Sequence, residues 1–150
     1  MPRQITIRLF RKSDLPRILQ IEKLCFASES WDESLLLGYF QKCPDLFLIV
    51  KYGRRIAGYA ITCASKERAE LVSIAVDPDF RTLGVGAALM KHTASVLKRR
   101  RVYSWHLMVR INNEPAIRFY RRFGFVRSRT VRGYYENGGD AWRMRTLLAG

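Results

Sequence analysis

Histidine is nearly absent from this chain, with His92 and His106 as its two representatives. They fall in different stretches and in no ligand-spaced cluster, so a zinc or iron centre lacks a donor set. Cysteine is almost as scarce. Cys25, Cys43 and Cys63 are odd in number, lack CxxC spacing and sit inside apolar segments, which predicts free thiols in a reduced, cytoplasmic setting. No apolar run approaches the roughly 18 residues of a membrane span, and the N-terminus lacks a signal-peptide core, so the expectation is no membrane and no export.

Acidic residues are the third shortage: 13 against 27 lysines and arginines, a net charge of +14. Lys98-Arg99-Arg100-Arg101 and the series Arg118, Arg121, Arg122, Arg127, Arg129 and Arg132 could neutralise phosphates. No nucleic-acid-binding motif accompanies them, so a solvated basic surface is the preferred reading and nucleic acid the disfavoured partner. Low-complexity tracts and linkers are missing too. With 48% hydrophobic residues over 150 positions, the chain reads as one domain, residues 1–150, large enough to bury a core.

What is present is concentrated between Glu70 and Leu89. The apolar run Leu71 to Val76 suits a strand covered on both faces, and Asp77-Pro78 stops it because proline has no donor for a ladder. From Gly84 onward Val85, Ala88, Leu89, His92 and Val96 recur at helical spacing, which puts Gly84 and Gly86 in the first turn of a helix. The free amides of that turn, unobstructed at the glycines and backed by Arg81, form a donor site suited to a pyrophosphate. Arg81-x-x-Gly84-x-Gly86 matches neither GxGxxG nor GxxxxGK[ST], so nicotinamide cofactors and NTP hydrolysis lose support. By itself the pattern is equally that of a tight turn before a helix.

Along the rest of the chain, Ile5 to Leu9 alternates as a strand. Ser13 is the expected N-cap of a helix carrying Leu15, Ile18, Leu19, Glu22 and Phe26, with Arg17, Gln20 and Lys23 on its polar face. Ser30-Trp31-Asp32-Glu33 has the form of a capping box and predicts a helix from Trp31 to Gln41, ended by Pro44. Leu46 to Tyr52 and Arg55 to Ala64 read as a hairpin about Gly53-Arg54. Ser104 to Val109 is the next strand, with Trp105, Leu107 and Val109 on one face and His106, Met108 and Arg110 on the other. Asn113 to Phe123 is helical and capped by Gly124, its stripe Asn113, Ile117 and Tyr120 carrying an amide and a phenol the same way. Phe125 to Tyr134 and Ala141 to Leu147 pair about Asn137-Gly138. This mixed order predicts an α/β (α+β) sandwich rather than a doubly wound sheet.

Arg81-x-x-Gly84-x-Gly86, its preceding strand and the later run Val109 to Phe125 (Val-Arg-Ile-Asn-Asn-Glu-Pro-Ala-Ile-Arg-Phe-Tyr-Arg-Arg-Phe-Gly-Phe) together resemble the GNAT superfamily of acetyl-CoA-dependent N-acetyltransferases. Within it they are most similar to the RimI-type branch, which acetylates protein N-termini. The resemblance implies a mixed, mostly antiparallel seven-stranded sheet with flanking helices. Its fourth and fifth strands, here Ala69 to Val76 and Ser104 to Val109, would splay to admit the pantetheine arm. It also implies that acetyl-CoA is held by backbone groups of Ile74, Ala75 and Val76, by Arg81, Thr82, Leu83, Gly84, Val85, Gly86 and Ala87, and by Asn113 and Tyr120. Part of the positive charge would serve the anionic coenzyme, and part an acidic or ribosome-bound substrate.

Acetyl transfer to an amine needs a neutral nitrogen, donors for the developing oxyanion and a proton for the departing thiolate. Tyr120, with a phenol pKa near 10, suits the acid, its alternative being a core aromatic. At the strand position commonly glutamate in the RimI-like branch stands Met108, which accepts no proton. Glu70 starts the central strand where the histone-acetylating branch carries its glutamate, and is the leading base. His106 is the second candidate, and a water relay the third. Trp31, Tyr134 and Tyr135 fall where the branch contacts its peptide. The expected acceptor is a protein or peptide, a ribosomal protein among the candidates, through an N-terminal α-amine, whose pKa of about 7.7 to 8.0 asks less of a weak base than lysine at about 10.4. A small-molecule amine acetyltransferase, an idle acyl-CoA-binding module and a nucleic-acid-binding module are the alternatives. Oligomeric state stays open between monomer and homodimer.

Overall fold

Period-two and period-3.6 apolar patterns become strands and helices in the order β1 (Ile5–Leu9), α1 (Leu15–Phe26), α2 (Glu33–Lys42), β2 (Phe47–Tyr52), β3 (Arg55–Ser65), β4 (Arg68–Val76), α3 (Val85–Arg99), β5 (Ser104–Arg110), α4 (Glu114–Arg121), β6 (Val126–Val131) and β7 (Ala141–Leu147). These belong to a computed structural model that describes residues 4–148, so the outermost ends of the predicted 1–150 domain lie outside the described residues. The strands form one mixed sheet in the order β1-β2-β3-β4-β5-β7-β6. Pairing is antiparallel between β1 and β2, β2 and β3, β5 and β7, and β6 and β7, and parallel between β4 and β5. The parallel ladder joins Arg68, Ala69 and Glu70 to Ser104, Trp105 and His106 and ends there, although β4 continues to Val76. The seven strands and their mostly antiparallel order are those the resemblance implies.

The chain forms two compact units. The first comprises residues up to Cys63 with Ser73–Ser95. Its core gathers Ile18 and Ile21 of α1, Leu36 of α2, Phe47 and Ile49 of β2, Tyr59 and Ile61 of β3 and Leu89 of α3, all fully buried. At about 1.5 to 3 kcal/mol per large buried side chain, these positions dominate the unit's stability. Phe10 stacks on Phe47 at 4.2 Å between centroids. Arg17 pairs with Asp77 at 2.6 Å and also donates to the Ile56 carbonyl. Asp77 in turn accepts from the Asp79 amide, closing the turn that ends β4.

The second unit comprises Ala64–Val72 with the residues from Val96 onward. Trp105, Leu107 and Val109 of β5, Ile117 of α4, Phe125 and Met144 of β7 are buried in it. Trp105 and Phe125 meet at 5.2 Å between centroids. Gly124 has φ 89° and a Cβ there would lie 2.9 Å from Thr146 Oγ1, so glycine both ends α4 and admits β7.

Several expectations are corrected by local hydrogen bonding. Ser13 does not cap α1: a short 3-10 turn, Lys12–Asp14, precedes the helix, and the Asp14 carboxylate accepts from the Arg11 amide and from Arg8. Phe26 is exposed rather than inward, and Arg17 is an ion-pair partner rather than a solvent-facing cation. The helix expected from Trp31 begins at Glu33, because Asp32 rather than Ser30 supplies the cap, accepting from the Leu35 amide at 2.9 Å. On α3 the buried positions are Val85, Leu89, Met90, Thr93 and Leu97, while His92 is exposed; Thr93 is tolerated inside because its hydroxyl donates to the Leu89 carbonyl. β4 is not covered on both faces: Ala69, Leu71 and Ala75 are buried, while Val72, Ile74 and Val76 are half-buried. Cys43 and Cys63, read as free thiols, form a disulfide, with Cα atoms 5.4 Å apart, because the end of α2 and the end of β3 converge. Their separation of 20 residues carries no pattern that announces this. Cys25 stays free.

Candidate active site

In the first unit the site is built where β4 ends and α3 begins. Asp77 and Pro78 stop the strand, and the turn Pro78–Phe80 leads to Arg81. The exposed loop then uses two left-handed residues, Thr82 at φ 66° and Gly84 at φ 85°. Glycine takes this conformation freely, whereas threonine does so at a cost, so Thr82 marks a strained point that residue type alone did not reveal. Gly84 accepts from the Ala88 amide at 3.0 Å, which starts the helix. A Cβ at Gly84 would meet only Ile5 Cδ1 at 3.9 Å, so the loop is open on that side. Val85 anchors it in the core, and the first-turn amides of Gly84, Val85, Gly86 and Ala87 have no intrahelical acceptor. These donors stand at the positive end of a fifteen-residue helix, an arrangement suited to an anion. Leu83 is exposed beside it.

Arg81 is less simple than a free cation. Its guanidinium donates to Cys25 Sγ at 3.7 Å, and the Cys25 thiol donates to the Val76 carbonyl at 3.3 Å. Burial pushes the Cys25 thiol up, against the pull of Arg81, so it stays protonated and can donate. Ile74, Ala75 and Val76 follow Ser73 on β4, and the Ala75 carbonyl lies against Gly58 of β3, closer than any side chain would allow.

A buried network tied to the same strand was not singled out from sequence. Glu22 of α1, fully buried, accepts from the Trp31 amide at 2.8 Å and from the Tyr59 hydroxyl, and Tyr59 is within 3.0 Å of Ser73 Oγ. Burial raises the Glu22 carboxyl above its ordinary value, with Tyr59 and the Trp31 amide pulling it back. Burial and then Glu22 push the Tyr59 phenol well up. The available signal was a glutamate on the apolar face of α1, one step from Ile18 and Ile21. Trp31 itself is half-buried and stacks on Tyr39 at 5.1 Å.

The second unit holds the candidate acid and bases. Glu70 of β4 and His106 of β5 are direct partners in the parallel ladder, so the two base candidates stand side by side on one face. Burial first, and then the Arg143 cation, lower His106 below the ordinary imidazole value, partly offset by Glu70. His106 is therefore neutral at neutral pH and able to accept a proton. Met108 stands on the same face, opposite Arg143. Tyr120 of α4 is half-buried between Phe119 at 5.5 Å and Phe125 at 6.0 Å. Burial and then Tyr135 push its phenol up, so it keeps its proton throughout the neutral range. Asn113 caps α4, its side-chain oxygen accepting from the Ala116 amide at 3.3 Å, which leaves its NH₂ group for a ligand. Tyr134 and Tyr135 sit in the loop between β6 and β7 rather than on a strand; their rings meet edge to face at 4.9 Å, and Arg110 lies 4.0 Å over Tyr135. Among the described residues no group of three His, Cys, Asp or Glu could hold a metal ion.

The model of the acetyltransferase (GNAT) family matches residues 15–125, which include both motifs and α1 to α4. The chain belongs to this family. One relative, the [ribosomal protein bS18]-alanine N-acetyltransferase of Salmonella typhimurium, is 37% identical over 130 residues, covering 87% of this chain and 86% of its own. Among solved structures, Ard1 from Thermoplasma volcanium superposes with a TM-score of 0.91 at 29% identity, over 97% of this chain and 99% of that one. The ribosomal-protein-S18-alanine N-acetyltransferase of Escherichia coli gives 0.86 at 30% identity, over 98% and 96%. In this GNAT acetyltransferase Trp31, Ile74 to Val76 and Arg81 to Ala87 thus belong to the first unit, and Glu70, Asn113, Tyr120, Tyr134 and Tyr135 to the second. No helix of the described residues is long and apolar enough to cross a membrane.

Proposed function

We propose that this enzyme transfers acetyl from acetyl-CoA directly to the free α-amine of a protein or peptide, within one catalytic domain spanning residues 1–150. The carrying observation is the 37% identity to an enzyme named as a ribosomal protein bS18-alanine N-acetyltransferase, sustained over most of both chains. A ribosomal acceptor is accordingly the first candidate. A cytoplasmic location belongs to the same reading, and there the Cys43–Cys63 bond would be held reduced.

The residues present fit the coenzyme. The loop that a Cβ at Gly84 would leave open, the free amides from Gly84 to Ala87 and Arg81 suit its pyrophosphate. Backbone groups of Ile74, Ala75 and Val76 would hold the pantetheine, and Asn113 and Tyr120 the thiol end. Acetyl-CoA supplies the activated acyl group. Glu70, with His106 beside it, takes up the proton of the amine through water. Tyr120 Oη, raised well above the working pH, holds the proton that the departing sulfur needs. Trp31, Tyr134 and Tyr135 give aromatic walls for the peptide end.

The test mixes enzyme and acetyl-CoA with a peptide bearing a free N-terminus, the same peptide with a blocked N-terminus but a free lysine, and a polyamine. Mass spectrometry should find acetyl on the free α-amine first. Acetyl on lysine or polyamine, with free N-termini untouched, would transfer the assignment to another amine class.

A further inference from the structure

Besides Arg110, which lies over Tyr135, four arginines of the second unit share one sheet face in an arrangement that a merely soluble surface does not require. The ladders set Arg129 of β6 opposite Arg143 of β7, Met108 opposite Arg143, and His106 opposite Arg145. Ladder partners point to the same side, as do residues two apart on a strand. Arg129, Arg143, Arg145 and Arg68 therefore stand on the face of Glu70 and His106. The register shift between Arg127 and Arg129 is what brings Arg129 there; with regular alternation from Val126, Ser128 would face Arg143 instead.

Like charges directly opposite each other destabilise a sheet. Burial, and then Arg129, Arg145 and Arg68, push the half-buried Arg143 guanidinium down from its ordinary value. Arg143 donates to Ser128 Oγ at 3.2 Å, which holds it in place without neutralising it. Among the described residues no ion pair joins any of the four to a carboxylate, and Glu70 is the single carboxylate on these strand positions. Scattered surface cations keep a protein soluble, but facing arginines call for an anion between them.

We propose that this face is a subsite for an acidic side chain of the acceptor, so that the enzyme selects peptides whose first residues include Asp or Glu. The proposal rests on the α-amine reading above and names its substrate class. Guanidinium forks match a carboxylate with two parallel hydrogen bonds. Neighbouring strands are about 4.8 Å apart, so Arg129 and Arg143 can close on one carboxylate from both sides. A nucleic acid fits less well: the strand positions of this face carry no Phe, Tyr or Trp for base stacking, His106 being their one ring, and Glu70 would repel a phosphodiester.

The experiment compares kcat/KM for three free-N-terminus peptides identical except for Glu, Gln or Lys near the start. The expected order is Glu, then Gln, then Lys, with Glu ahead of Gln by about tenfold, the worth of one hydrogen bond between charged groups. Added salt should narrow the gap. An Arg129→Thr, Arg145→Gln variant should lose the Glu-to-Gln ratio, and Arg129→Thr alone should raise the melting temperature by relieving the facing charges. Equal kcat/KM for Glu and Gln peptides, or a ratio that survives in the double variant, would overturn the subsite while leaving the α-amine reading intact. Salt-sensitive binding of an RNA hairpin, lost in the same variant and without acid preference, would overturn it in favour of nucleic acid. Absence of turnover on every peptide would overturn both readings together.

Discussion

Tyr120 and His106 make opposite use of burial. Burial holds the proton on the phenol, and it keeps the imidazole without one. Tyr120→Phe is expected to lower kcat by about 10²- to 10⁴-fold, the range of general acid catalysis, with acetyl-CoA affinity almost intact in calorimetry. Full turnover would reassign the residue to packing. Glu70→Gln should remove the acidic limb of the kcat/KM profile; removal by His106→Gln instead would make His106 the base. His106 also has a signature in stability. Its folded pKa is depressed below the unfolded value near 6.5, so the unfolded chain binds the extra proton and stability falls as pH drops from about 6.5 towards the folded value. Urea midpoints of wild type should decline across that window more steeply than those of His106→Gln, a difference that Glu22, shifted the other way, leaves in place.

At the scale of elements, the turn between β4 and α3 depends on Asp77. Burial works against its carboxylate, but the Asp79 amide and Arg17 outweigh it and hold it below the usual range. Asp77→Asn should cost about 2 kcal/mol in urea unfolding, the worth of a hydrogen bond to a charged partner, and should loosen Arg81 to Ala87 with it. An unchanged midpoint would mean that Pro78 and Phe80 hold the turn alone. Much of this region was legible in advance, because glycine and proline act through the backbone and their consequences are local. Gly53, Gly84 and Gly124 all adopt the positive φ that their turns demand. Caps were harder to place: Ser30 and Asp32 are both good N-caps, and the choice between them depends on the preceding turn, Ala27–Glu29, which has no strong local signal. Coverage of β4 was unreadable for a different reason, since an apolar run looks alike whether one face or both are packed.

For the whole molecule, the seven-stranded mixed sheet and the family were accessible because two motifs far apart in the chain pointed to one architecture, whereas the strand order came from the structure. What long-range convergence creates stayed hidden: the Cys43–Cys63 bond, the Glu22–Tyr59–Ser73 network and the arginine face. Each joins residues whose separation in sequence carries no period. The positive charge is thereby divided, some of it at the opening of α3, some at facing strands and some in the ion pairs of Arg8 and Arg17. The account as a whole stands on the opening of α3 as the seat of the acyl donor. Calorimetric titration of coenzyme A into wild type and into Gly86→Glu, with circular dichroism confirming that both are folded, tests it most directly. The account predicts binding by wild type and its loss in the variant, whose side chain fills the cradle and sets a negative charge against the pyrophosphate. Equal affinity in a folded Gly86→Glu protein would contradict it.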